Sequence, residues 1–291
     1  MFDGFELRFL DGVDGVPIRL RVGGSGPPLL LLHGNPQTHL MWHKVAPALA
    51  ERFTVVACDL RGYGESSKPP PSPDHAAYSK RAMAADQIAV MSALGFRRFR
   101  VAGHDRGARV AHRLCLDHPH AVERVVLLDI VPTLHAFETM NAEVAMGYYH
   151  WLWLAQPHDF PERMILSDPE YWWRWHTARG QPPDTFSPGA LEDYLACVRD
   201  PRTVAAICED YRAAASVDLE HDRESRARGR RIECPVRVLW GARARLGSWY
   251  DVLDVWRRYA REVSGRAIAA GHYIAEENPA ATLAEFEAFF G

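Results

Sequence analysis

The run Gly103-His104-Asp105-Arg106-Gly107 places a carboxylate midway between two glycines, directly after an apolar stretch and directly before one with helical spacing. A strand-to-helix turn that presents a nucleophile needs small neighbours, because its central residue is held in a strained conformation. The central residue here is Asp105, not a serine. An aspartate in this place could instead cap the following helix, so the run alone leaves both readings open. Three further runs bear on the choice. Leu29-Leu30-Leu31-Leu32-His33-Gly34-Asn35-Pro36 ends an apolar stretch in a tight turn, where the backbone N–H of Asn35 could face the elbow as half of an oxyanion-binding pair; the N–H of Arg106 would be the other half. Asp59-Leu60-Arg61-Gly62-Tyr63-Gly64-Glu65-Ser66 closes the next apolar stretch with two turn glycines. Gly271-His272 precedes the final helix and offers a general base.

A carboxylate nucleophile suits displacement at saturated carbon. It expels a leaving group and becomes an ester, which water activated by His272 then cleaves. The expected reaction breaks a carbon–halogen or epoxide carbon–oxygen bond and uses neither cofactor nor metal. Arg106 and Arg109 follow the nucleophile one turn apart, a spacing that suits recognition of a carboxylate. Salt-bridged arginines facing solvent are the plainer alternative.

These residues need a scaffold that aligns turns from distant parts of the chain. Apolar, β-rich runs at Ile18–Val22, Leu29–His33, Thr54–Asp59, Arg100–Gly103 and Val125–Asp129 alternate with helical patterns at His43–Arg52, Ser79–Leu94 and Arg106–His118. Alternation of this kind predicts an α/β fold with a mostly parallel sheet covered on both faces. From Leu134 to Arg231 the alternation gives way to helical, aromatic sequence, which reads as an inserted helical lid, its charge-dense end Glu220–Arg231 a solvated connector. The pattern resumes with a strand at Val236–Trp240, a helix at Trp249–Arg261, a strand near Arg266–Ala269 and a helix from Pro279. The expected organisation is core at residues 1–133, lid at 134–231 and core again at 232–291.

The formal net charge of −3 offers no attraction to nucleic acid or anionic lipid. The five cysteines lack Cys-x-x-Cys spacing and read as reduced thiols. An acidic N-terminus without a long apolar stretch predicts a cytoplasmic enzyme with no membrane segment.

In this order, the four motifs resemble the α/β-hydrolase superfamily, and specifically its Asp-nucleophile branch of dehalogenases and epoxide hydrolases. Asp105-Arg106-x-x-Arg109 closely resembles the fluoroacetate dehalogenases. The resemblance implies that Arg106 and Arg109 bind a haloacid carboxylate, that His150, Trp151 and Tyr211 receive the halide, and that the enzyme is a homodimer. It also implies the acid partner of His272. Many relatives carry it after the strand ending here at Gly241, where no carboxylate occurs before Asp251, whereas Asp129 matches an alternative position used in part of the branch. Asp129 is preferred. Asn35 stands where the family usually has a bulky aromatic, so pocket shape and halide preference do not carry over at that corner.

Two other functions fit the same motifs. An epoxide hydrolase would use Asp105 and His272 with lid tyrosines drawn from Tyr148, Tyr149, Tyr194 and Tyr211. A ligand-binding receptor on this fold would need neither residue intact.

Overall fold

The computed structural model describes residues Met1–Gly291. Its strands are β1 (Glu6–Asp11), β2 (Pro17–Gly23), β3 (Pro28–Leu32), β4 (Thr54–Cys58), β5 (Phe99–His104), β6 (Val122–Leu128), β7 (Val236–Gly241) and β8 (Val263–Ile268). They form one sheet in the order β1-β2-β4-β3-β5-β6-β7-β8. The β1–β2 and β2–β4 pairs are antiparallel, and all pairs from β4–β3 to β7–β8 are parallel.

Strands buried on both faces carry apolar residues at every position, and the pleat sorts them alternately. Leu30 and Leu32 of β3, Val56 of β4, Val101 of β5 and Leu127 of β6 enter one core. Leu29, Leu31, Val55, Ala102 and Val126 enter the other, with Trp42, Phe53, Phe286 and Phe290. The first core continues into the segment between β6 and β7 through Trp151, Trp173, Tyr194, Ile207 and Tyr211. All the elements of that segment, from Thr133 to Ala227, are helical.

Three details differ from the sequence reading. β1 was not anticipated, because this edge strand leaves Leu7 and Phe9 exposed and shows no clean alternation. The pattern at Trp249–Arg261 is broken where Asp251 caps a short new helix, Val252–Arg257, by accepting from the Asp254 N–H. Glu220–Arg231 is not simply a solvated connector. It overlaps the helix Val217–Ala227, where Asp222 is buried and ion-paired with Arg113 of the core. Charge density alone does not reveal that one face of a helix is docked.

Core and segment are also joined by polar contacts at the ends of the central strands. The Trp173 indole donates to the Pro36 carbonyl at 3.1 Å, and the Tyr63 hydroxyl donates to Asp210 at 2.7 Å. Lys80 pairs with the same Asp210. No helix is long and apolar enough to cross a membrane.

Candidate active site

Asp105 sits between β5 and the helix Arg106–Asp117 with φ 47° and ψ −114°, a conformation that L-residues rarely adopt. The residues two positions to either side are glycines because the backbone packs tightly there. A Cβ on Gly107 would lie 2.4 Å from the His33 carbonyl oxygen, and one on Gly103 would lie 2.5 Å from the Gly107 carbonyl oxygen. The Asp105 side chain makes no capping bond to its helix, which removes the capping alternative. Its Oδ1 instead accepts the backbone N–H of Asn35 at 3.0 Å. Burial by itself would raise the Asp105 carboxyl, but His272, His104, Arg106 and Arg109 hold it well below the usual carboxylate range. The nucleophile candidate is therefore ionised at neutral pH.

The carboxylate that meets His272 is Asp129, with Oδ2 2.6 Å from Nδ1. Asp129 follows β6 with φ 54°, and its Oδ1 accepts the Gly241 N–H at 2.9 Å, so the acid is fixed by the adjacent β7. Asp251 is exposed and occupied by its own helix cap. With Nδ1–H directed at Asp129, His272 Nε2 is left to carry or accept a proton. Burial would depress the imidazole, but the bond to Asp129 and the charges of Asp129, Asp105 and Glu277 outweigh that, so it titrates above its ordinary value.

Arg106 and Arg109 are both buried. Arg106 is paired with Asp210 and lies 4.1 Å from the centre of the Tyr211 ring. Arg109 donates to the Val131 carbonyl and the Thr133 hydroxyl, each at 3.0 Å, and lies 4.4 Å from the Trp151 ring centre. Arg106 Nη1 and Arg109 Nε are buried with no protein acceptor. Buried donors of this kind are normally matched, so the pair is suited to an anionic guest. The rings they lie against, Tyr211 and Trp151, line the adjoining cavity.

That cavity has a volume of about 430 Å³ and is lined by Asn35, Asp105, Asp129, His150, Trp151, Tyr211 and His272, among others. The structure thus gathers all the remaining candidates around one space. Burial, reinforced by the neighbouring His176, pushes His150 well below its ordinary pKa, making it a neutral ring with one N–H to donate. The Asn35 side-chain amide donates to the Tyr211 hydroxyl oxygen at 3.3 Å. Of the other tyrosines, Tyr148 and Tyr149 line the cavity. Tyr194 does not, and its hydroxyl donates to Glu276 at 3.2 Å.

Three contributors were not found by sequence reasoning. Asp210 precedes Tyr211 and compensates Arg106, yet nothing in its surroundings marks it as buried. His176 lines the cavity, stacks on Trp172 and lies 4.6 Å from His150 between ring centres, its pKa pushed down to about 4 by burial. Glu277 accepts the N–H groups of Gly271 and Tyr273 at 2.6 and 3.0 Å, clamping the turn on both sides of His272. The signal available for Glu277 was a carboxylate one helical turn beyond the base.

Residues 27–279 match the family described as alpha/beta hydrolase fold. The chain is 44% identical over 284 residues to a fluoroacetate dehalogenase of Burkholderia sp, covering 96% of this chain and 91% of that protein. It is 33% identical over 273 residues to a soluble epoxide hydrolase of Corynebacterium sp. (strain C12), covering 92% and 91%. Among solved structures, ALR0039 from Nostoc sp PCC 7120 superposes with a TM-score of 0.97 at 51% identity, covering 100% of this chain and 99% of that one.

Proposed function

The chain belongs to the haloacetate dehalogenase family of the α/β-hydrolase superfamily, hydrolases that act on carbon–halide bonds, and from that premise we propose that it converts short 2-haloacids, fluoroacetate included, to 2-hydroxyacids. The observation that carries the reading is the pair of buried, unmatched guanidinium donors, Arg106 Nη1 and Arg109 Nε, beside an ionised aspartate at the elbow. An epoxide requires no such anion-binding capacity.

In this reading the two arginines bind the substrate carboxylate, and His150, Trp151 and Tyr211 receive the halide. Asp105 attacks C2 through Oδ2, the oxygen not held by Asn35. The new C–O bond forms as the carbon–halogen bond breaks, and the halide leaves with the bonding electrons. Water then attacks the ester carbonyl carbon of Asp105, giving a proton to His272 Nε2, while the oxyanion develops on Oδ1 opposite the Asn35 N–H. The Arg106 N–H is its second candidate donor. Collapse expels the hydroxyacid, which takes the proton, and Asp105 is regenerated with one oxygen from water. The net reaction is haloacetate plus water to glycolate, halide and a proton. Asp129 fixes the His272 tautomer and stabilises the imidazolium.

The reading extends to a homodimer in the cytoplasm. The large exposed apolar side chains Met146, Phe160, Met164 and Tyr171, all on the helical segment between β6 and β7, support self-association, which sedimentation would check.

Halide release from fluoro-, chloro- and bromoacetate, with a small epoxide as control, tests the function. Release from the haloacetates with an inert epoxide is the expected result. Preferential epoxide opening would favour an epoxide hydrolase instead, for which Tyr148, Tyr149 and Tyr211 on the cavity wall are the available acids.

A further inference from the structure

The cavity sorts charge along its length. Its only lining carboxylates, Asp105 and Asp129, are buried, whereas its three lining arginines, Arg179, Arg243 and Arg245, are exposed. The arginines come from separate places: Arg179 follows the turn Arg174–Ala178 between β6 and β7, and Arg243 and Arg245 follow β7 in the core. Of the three, only Arg243 has an ion-pair partner, Glu277 at 2.8 Å. Arg179 instead lies 4.2 Å from the centre of the Trp175 ring, which holds its charge in place without cancelling it.

The rim is therefore cationic on a chain whose formal net charge is −3. An anionic substrate approaches a globally repulsive protein and then an ionised nucleophile. We propose that Arg179 and Arg245 form a cationic collar that captures carboxylate substrates from solution and guides them past the surface field to Asp105. The proposal rests on the haloacid reading and adds to it the residues that select anions at entry. Exposed arginines serving only solubility would be indifferent to the charge of what enters.

Two uncompensated charges at a cavity mouth raise the local anion concentration by roughly tenfold at low ionic strength. The effect fades as the screening length shrinks to about 3 Å near 1 M salt. Arg243 is left intact in the test because its partner Glu277 supports the His272 turn.

The experiment compares the wild type with the double variant Arg179→Gln/Arg245→Gln. kcat/KM for chloroacetate is measured across ionic strength. The variant should lose about five- to tenfold at low salt with kcat unchanged, and the two proteins should converge at high salt. A second readout needs no turnover: quenching of tryptophan fluorescence by iodide compared with neutral acrylamide, since Trp151 and Trp249 line the same cavity. Iodide quenching should fall in the variant and acrylamide quenching should not. Equal salt dependence and equal iodide quenching in the two proteins would overturn the collar. If the wild type releases no halide from any haloacetate, the haloacid reading fails separately and the quenching ratio alone decides on the collar.

Discussion

The side-chain amide of Asn35 donates to the hydroxyl oxygen of Tyr211 across 3.3 Å, so a residue of the turn after β3 holds a phenol from the helix Pro201–Ala215. With its oxygen accepting from Asn35, the Tyr211 O–H is free to point into the cavity. Asn35→Ala keeps the backbone N–H that faces Asp105 and removes only this orientation. kcat/KM for fluoroacetate should fall by about five- to tenfold, and that for bromoacetate by less than about twofold, because the weaker bond needs less help from donors. Equal losses on both substrates would separate Asn35 from the halide.

An Asp105 ester makes a definite isotopic prediction. One turnover in heavy-oxygen water should place the label in the Asp105 carboxylate and leave the first hydroxyacid unlabelled. His272→Asn should stall after attack, with the substrate mass added to the peptide bearing Asp105. Label appearing directly in the first product would show that water attacks the substrate.

The two steps should respond differently to pH. Asp105 is held well below the usual carboxylate range, so ester formation should be flat from about pH 5 to about pH 8. His272 is raised in the free enzyme, in part by the negative charge of Asp105. Esterification removes that charge, so the His272 pKa falls once the ester exists. Only neutral His272 can accept the water proton, so ester hydrolysis should rise with pH and then plateau, with a kinetic pKa below the value found by NMR titration of the free enzyme. A kinetic pKa at or above the free-enzyme value would contradict this coupling.

The choice of acid partner is tested by two isosteric changes. Asp129→Asn should cut turnover by about 10⁴-fold, since the amide no longer fixes the His272 tautomer or balances the imidazolium. Asp251→Asn should change it by less than about twofold, asparagine being an equivalent helix cap. The reverse pattern, read by single-turnover kinetics on folded protein, would reassign the acid.

Sequence revealed those parts of the molecule whose signal is local. The central strands are continuous apolar runs because both faces are buried, and the elbow residues Asp105 and Arg106 are adjacent in the chain. β1 escaped notice because an edge strand with exposed Leu7 and Phe9 lacks that signature. Asp210, His176 and the arginine collar were invisible for another reason. Each acquires its role from a partner far away in the chain: Asp210 from Arg106 and Lys80, His176 from His150, and Arg179 from the turn after β7. Long-range pairing leaves no periodicity in the chain.

Asp210 and its neighbours also bear on how anything enters or leaves. Asp210 binds Arg106 and Lys80, Asp222 binds Arg113, and all five groups are buried. Lifting the helical segment off the sheet as a hinged door would have to part all three of these pairs at once, so they fasten the segment to the sheet. A route past Arg179 and Arg245, the exposed arginines of the cavity lining, leaves all three pairs made, so the seated segment and a passage for small molecules are compatible.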